Sequence, residues 1–347
     1  GSLPPLAAAE PRQLRERTTR FILDVPTDAP AGQAVPYLIV EGANALTSGG
    51  RPRSTLFLRP VKVLSSRPAA ELNTKGLQGR ATAITLADDT LVNHLQWATA
   101  RPLTQNYNVS LRLVDAEGIE RAHFDAQPGY GYRPSSIWRP GLWEYDRLAL
   151  PLPSGWDART AAQPFTLVAR LYDVSQGEPV LIRRLGQLVL EDDTLRFSAP
   201  EPAFALPNNL SPLVTTFGET LRLRGYTLSP AGERVTLTLY WEALVPPDLD
   251  LFHFVHLVDP TSGETVIQHD SMPQYNTYPT SQWVAGQIVP DQLTLDLDDV
   301  AAGDYQLFVG LYHRQGESFP RLAVRDAANQ PVKDDRVQLP TTVTVAP

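Results

Sequence analysis

In the stretch "RVTLTLYW" (234–241), Val235, Leu237, Leu239 and Trp241 fall on one side and Thr236, Thr238 and Tyr240 on the other. "NVSLRLVD" (108–115) sends Val109, Leu111 and Leu113 one way and Ser110 and Arg112 the other. Alternation with period two, rich in β-branched and aromatic residues, marks a strand with one buried face. Roughly eight such segments occupy each half of the chain, spaced as in a sandwich. No window sustains a helical period, and "PAAELNTKG" (68–76) has room for a single helical turn. The pattern predicts an all-β chain of tandem antiparallel β-sandwich domains, immunoglobulin-like or jelly-roll-like.

The two halves repeat one another. Trp97 matches Trp241 and Leu113-Val114-Asp115 matches Leu257-Val258-Asp259, both at an offset of 144 (97 to 241, 113 to 257). Asp125 matches Asp270, Trp138 matches Trp283 and Gly141 matches Gly286 at 145, and "FTLVARLYD" (165–173) answers "YQLFVGLYH" (305–313) at 140. A nearly constant offset with loop-sized changes is what a duplicated domain leaves behind. The most visible echo is a loop, "QPGYGYRPSSIW" (127–138) against "MPQYNTYPTSQW" (272–283).

The predicted organisation has an irregular start over 1–17, whose leading Gly-Ser reads as a cloning remnant. A partial β unit follows over 18–68, then sandwich 1 over 69–197, a Pro/Asn-rich linker over 198–212 and sandwich 2 over 213–347. The partial unit is expected because "FILDVPTDAPAGQAVPYLIVEGA" (21–43) resembles "LTLDLDDVAAGDYQLFVGLYH" (293–313), with "STLFLRPVKVL" (54–64) as a closing strand. So few strands cannot bury a sheet face alone, so they are expected to pack on the next domain.

Composition narrows the function classes. A net charge of −8 and an isoelectric point near 5.3, with no compensating basic run, argue against the basic face that nucleic acid requires. Cysteine is absent, which removes disulfides, thiol catalysis and cysteine-ligated metals. Lysine occurs only at Lys62, Lys75 and Lys333, a bias that points to base composition of the genome and not to a site. No apolar run reaches the length of a membrane helix.

Candidate chemistry is sparse. On a strand, the odd spacing of His253 and His256 sends them to opposite faces. His269 beside Asp270 is the better acid–base or metal pair, although an ordinary surface pair is the commoner outcome. The acidic runs "ADDT" (87–90), "EDDT" (191–194) and "DLDD" (296–299) lack the spaced ligands and central glycine of a calcium loop and read as turns. Motifs for serine nucleophiles, zinc proteases, phosphate loops and dinucleotides are absent, so no cofactor or metal is expected and no catalytic residue is assigned. An acidic pair for glycoside hydrolysis cannot be chosen among 38 carboxylates.

Aromatic residues carry the remaining signal. Tyr130, Tyr132, Trp143, Tyr145, Tyr275 and Tyr278 could present rings to a sugar. Trp138 and Trp283 either join such a platform or plug the end of their own sandwich, and their retention in both copies favours the plug. Trp97 and Trp241 are read as core, and Asp125 and Asp270 as caps of the repeated loop.

Asp270 to Pro273, Pro279 to Trp283, Gly286 and Ala302 to Tyr312 form a pattern, matched more loosely by Pro134 to Trp138. It resembles one in the extracytoplasmic C-terminal regions of bacterial polytopic membrane glycosyltransferases of the protein O-mannosyltransferase or lipid-linked-sugar type. The resemblance implies a non-catalytic β-sandwich appendage outside the membrane, a membrane-anchored parent, and a glycan or another envelope protein as partner. In that family the catalytic acid and lipid-phosphate site lie in membrane helices, so no active-site residue carries over. A carbohydrate-binding module and, behind it, a hydrolase with a dispersed acidic pair are the other expectations.

Overall fold

Each alternating segment forms a strand in the computed structural model. The structure describes residues 76–347 apart from 88, 155, 156, 158, 160, 161, 176, 178, 192, 193, 232 and 347, together with eight short strands between residues 11 and 63. The first copy contains β1 (Leu77–Ala87), β2 (Thr90–Thr99), β3 (Asn108–Val114), β4 (Glu120–Ala126), β5 (Glu144–Pro151), β6 (Phe165–Tyr172), β7 (Pro179–Glu191) and β8 (Thr194–Ser198). The second contains β9 (Ser211–Phe217), β10 (Leu221–Ala231), β11 (Arg234–Ala243), β12 (Leu251–Val258), β13 (Thr265–Ser271), β14 (Ile288–Asp296), β15 (Gly303–His313), β16 (Val324–Arg325) and β17 (Val337–Val345).

Strand orders repeat with the sequence. The first copy has sheets ordered β5-β2-β1 and β4-β3-β6-β7-β8, and the second β14-β11-β10-β9-β16 and β13-β12-β15-β17. Neighbouring strands run antiparallel throughout the second copy, and in the first at β5-β2, β2-β1, β6-β7 and β7-β8. The fold is therefore all-β, a tandem of antiparallel sandwiches. In the second copy the inward residues of both sheets, among them Leu237, Leu239, Trp241, Val255, Leu257, Leu307 and Val309, meet in one core. That interdigitation is what burying one face of each strand requires.

The chain folds as two compact units. One contains 1–109, 125–151 and 173–177, hence the β5-β2-β1 sheet and the loop before β5; the other contains 110–124, 152–172 and 178–347, hence β6, β7 and the whole second copy. In the first, Leu91, Leu95, Trp97, Leu148 and Leu150 are buried. Gly79, opposite Trp97 on β1, makes room for the indole: a Cβ there would stand 2.2 Å from its ring.

The predicted linker does not hang free. Ala203 bridges Ile288, whose N–H donates to the Ala203 carbonyl at 2.7 Å. A shallow apolar groove lined by Ala203, Leu206, Tyr240, Ile288 and Pro290 runs beside it. Of the expected partial unit, backbone pairing is described: Gly32–Ala34 with Val61–Val63, Tyr37–Ile39 with Thr55–Phe57, and Leu46–Ser48 with Arg51–Arg53. The predicted side-chain packing of 18–68 on the next domain, and a helical turn over 68–75, lie outside the described residues.

Candidate functional site

The repeated loop is built from the strands that flank it. In each copy it leaves the end of β4 or β13 and returns into β5 or β14. Asp146 on β5 sits two positions from Glu144 on the same inward face and pairs with Leu95, diagonal to Trp97. Its Oδ2 accepts the indole N–H of Trp97 at 3.1 Å and its Oδ1 accepts the backbone N–H of Gly129 at 2.8 Å. The second copy reproduces this at an offset of 145 (146 to 291). Asp291 Oδ2 accepts from Trp241 at 3.3 Å and Oδ1 from the Gln274 N–H at 2.7 Å. Both carboxylates are buried, and burial raises the pKa of Asp146 against the opposing pull of the Gly129 and Trp97 hydrogen bonds.

A second repeated staple holds the far end of the loop. Ser135 Oγ accepts the Tyr107 N–H at 2.8 Å and donates to the Gln105 carbonyl at 3.2 Å. Thr280 Oγ1 accepts from Leu251 N at 3.0 Å and donates to Leu249 O at 2.8 Å. Between the staples the chain turns left-handed: φ is 59°, 52° and 87° at Gly129, Tyr130 and Gly131, and 53°, 55° and 63° at Gln274, Tyr275 and Asn276. Trp138 and Trp283, 3% and 2% exposed, fill the space beneath, Trp138 stacked on Trp97 with ring centroids 6.3 Å apart. They are plugs.

In the second copy the same loop is seated on the first. Gln282 Nε2 donates to the Ile182 carbonyl on β7 at 2.7 Å, and its Oε1 accepts the Arg184 N–H at 3.2 Å. The Arg184 guanidinium donates to Gln274 Oε1 and lies 4.7 Å from the centre of the Tyr278 ring. Val168, Ile182 and Met272 form a small apolar cluster, with Phe252 against it. Tyr275 covers Gly118 of the β3–β4 turn, where a Cβ would stand 2.4 Å from the ring. This junction, from residues about 100 apart in sequence, was not legible in the chain.

Several expectations are corrected. Tyr278, expected to contact a sugar, is 8% exposed, with Arg184 and Trp283 against its ring and its hydroxyl accepting from Gln287. Tyr275 is half-buried against Gly118 and His269. Tyr145 is half-buried and bonded to His94, and Trp143 is half-buried beneath Arg80, whose guanidinium is 4.3 Å from the ring centre. Tyr130 and Tyr132 remain 52% and 64% exposed, the Tyr130 hydroxyl accepting the Ala149 N–H at 3.0 Å. Asp125 and Asp270, expected as loop caps, are exposed; Asp270 accepts from Gln268 at 2.6 Å. The capping is done by Asp146 and Asp291, which alternation places inward while the other two point out. The offset of 145 already pairs them, and that signal could have found them.

His269 does not act with Asp270 either, since neighbours on a strand face opposite ways. It shares the hydroxyl of Ser271 with His253: Oγ lies 3.1 Å from His269 Nε2 and 3.2 Å from His253 Nε2. His253 Nδ1 lies 2.8 Å from Asp291 Oδ2, close enough to pair electrostatically but without the alignment of a hydrogen bond. The order Asp291, His253, Ser271 is that of a nucleophile chain. Here all three are buried, and the first copy has Val109 and Ala126 in place of the histidine and serine. Burial lowers the pKa of His269, with the neighbouring His253 adding to it. Among the described residues no three His, Cys, Asp or Glu side chains stand together as a metal site. Two buried carboxylates do share β5, Glu144 and Asp146, but both hold the loop: Glu144 accepts from Arg133 at 2.7 Å and from the Arg139 N–H at 3.2 Å. The "DLDD" run is a turn, with Asp298 N–H on Asp296 Oδ1 at 3.2 Å.

No family model matches the chain, and no curated protein matches it. Among solved structures it is similar to the exo-chitosanase CsxA of Amycolatopsis orientalis (TM-score 0.23, 16% identity, 77% of this chain and 26% of that one). It is also similar to MtrC of Shewanella baltica OS185 (0.20, 9%, 77% and 68%) and a β-glucuronidase of Ruminococcus gnavus (0.18, 10%, 82% and 40%). The chain thus spans about a quarter of the chitosanase. Likenesses at this level carry no argument about what the chain does.

Proposed function

We propose that this chain is a non-catalytic tandem β-sandwich accessory region, a spacer and orienting module of an extracytoplasmic, membrane-anchored enzyme of the glycosyltransferase type. The observation that carries the spacer role is the junction: the aromatic loop of the second copy is spent on gripping β7 of the first through Gln282, Arg184 and Tyr278. A loop used this way fixes the second copy against the β6–β7 pair and turns the Tyr275 and Tyr278 rings onto Gly118 and Arg184. The parentage rests on the resemblance of residues 267–312 alone. No helix among the described residues is long and apolar enough to cross a membrane, so the anchor would be supplied elsewhere in the parent.

The test is to sequence and express the full gene product in its native host. Protease added outside intact cells should cleave this region from a multi-helix membrane remainder. A product with no membrane helices, or a region protected until cells are lysed, overturns the reading. A second reading, carbohydrate binding, is favoured by one observation: Tyr130 and Tyr132 keep exposed rings on the stapled loop of the first copy. A glycan-array hit that Tyr132→Ala abolishes would establish it.

A further inference from the structure

The outward face of β12 and β15 differs from its counterpart in the first copy. Phe252, Phe254 and His256 occupy alternate positions on β12 turned away from the core, opposite Tyr312, Gly310 and Phe308 on β15. At offsets of 144 and 140 the first copy has Asn108, Ser110 and Arg112, then Tyr172, Arg170 and Val168. Only the tyrosine is shared. Phe254 lies across Gly310, where a Cβ would stand 2.0 Å from its ring. Phe252 stacks on Tyr312 with ring centroids 5.4 Å apart and also touches the cluster of Val168, Ile182 and Met272.

A guanidinium lies over each of three phenylalanines on this face. Arg314 is 4.6 Å from the ring centre of Phe252, Arg321 4.6 Å from that of Phe254, and Arg336 4.3 Å from that of Phe308. The arginines come from three segments: after β15, before β16 and before β17. Among the described residues none of them is paired with a carboxylate. Arg321 donates one N–H to the Asp334 carbonyl at 3.0 Å, and Asp335, beside Arg336, accepts the Val324 N–H at 3.3 Å. Asp270, opposite Phe254 on β13, accepts from Gln268. Burial lowers the pKa of His256, with Asp270 opposing and Arg336 and Arg321 adding to it, so that ring brings no charge at neutral pH. A chain of net charge −8 thus gathers three positive groups on one face.

We infer that the outward face of β12 and β15 binds an extended acidic segment of a partner protein, whose carboxylates on alternate residues meet Arg314, Arg321 and Arg336. Charge complementarity selects an anion, and a guanidinium backed by a ring keeps its N–H edge for a planar carboxylate. The guanidiniums lie over the rings, so the face offers charge in place of ring stacking. Two-residue steps along β12 set successive sites roughly 7 Å apart, the step that separates alternate side chains of an extended peptide. Phe319, 58% exposed and edge-on to Tyr312, adds apolar contact beside the Arg314 end. The inference depends neither on the spacer role nor on the parentage.

Fluorescence anisotropy of a labelled peptide of alternating Glu and Thr, titrated with the full chain, should show saturable binding that weakens as salt rises. A peptide of alternating Lys and Thr should not bind. Arg314→Gln, Arg321→Gln and Arg336→Gln should each weaken the acidic peptide about fivefold, as loss of one partly exposed ion pair does. Arg325→Gln, on the opposite sheet, should leave it unchanged. Circular dichroism checks that each variant keeps its strands. No saturable binding by the parent chain, or equal weakening by Arg325→Gln, overturns the inference. Anionic lipid vesicles and a polyuronate are titrated alongside. If either binds where the peptide does not, and the three arginine variants abolish it, the peptide is overturned and the face belongs to that anion. An oligomer of the free chain that the same variants dissolve overturns it in favour of a second copy.

Discussion

Asp291 accepts the indole N–H of Trp241 on one oxygen and the backbone N–H of Gln274 on the other, and Asp146 does the same for Trp97 and Gly129. Each carboxylate therefore ties a core tryptophan to a surface loop. Replacing either by alanine strands two buried donors, at about 1–3 kcal/mol each. Asp146→Ala and Asp291→Ala should each lower the urea midpoint by the equivalent of about 2–4 kcal/mol, and the asparagine variants by less, because an amide keeps one acceptor. An alanine variant within 0.5 kcal/mol of the parent chain, on the ~1 kcal/mol scale of an ordinary hydrogen bond, would show that these bonds do not hold the loop.

Gly118 and Gly177 both have positive φ, at +83° and +74°, but only Gly118 lies under a ring. Gly177→Ala should cost about 1 kcal/mol from backbone strain alone. Gly118→Ala should cost about 2–4 kcal/mol, since the new methyl also meets Tyr275. Combining it with Tyr275→Ala should restore the smaller figure, measured as a double-mutant cycle. Additive effects would mean Tyr275 does not press on the turn.

Trp138 and Trp283 should be protected from acrylamide, and each alanine variant should destabilise by about 3–5 kcal/mol. Single-tryptophan fluorescence gives the first measurement and thermal unfolding the second. Free quenching of either indole would return it to the surface and reopen the sugar platform.

Burial lowers the pKa of His94, His256 and His269. A depressed histidine binds its proton in the unfolded chain first, so stability is full above the ordinary value of about 6.5 and falls as pH drops below it. The urea midpoint should therefore decline from pH 7.5 to pH 5. His269→Gln should flatten that slope. Asp146, with a raised pKa, acts in the opposite sense and at lower pH: its burial costs stability as pH rises above the carboxylate range. A midpoint that holds constant across the histidine range would contradict the burial of these rings.

What could be read from the chain follows from what is local. Alternation placed Trp97 and Trp241 inward, put His253 and His256 on opposite faces and made the duplication visible, because strand period and repeat offset are properties of sequence. The plug role of Trp138 and Trp283 followed from their survival in both copies. The junction was hidden because Gln282 meets Ile182 across 100 residues and grips a carbonyl, which any residue could supply. Asp125 stands nearer the loop's prolines than Asp146 does, so sequence proximity favours the wrong carboxylate. Only the inward register of β5 decides between them.

The left-handed turn of the repeated loop has a further consequence for how the chain comes into being. Two glycines make it cheap in the first copy, whereas Gln274, Tyr275 and Asn276 hold the same angles at a cost of about 1–2 kcal/mol each. The second loop thus reaches its shape most readily where β7 and Gly118 are already in place to receive it. During synthesis the amino-terminal copy, with β7 and the Gly118 turn, leaves the ribosome first. It then serves as the template on which its successor closes, so the order of translation and the order of assembly run the same way.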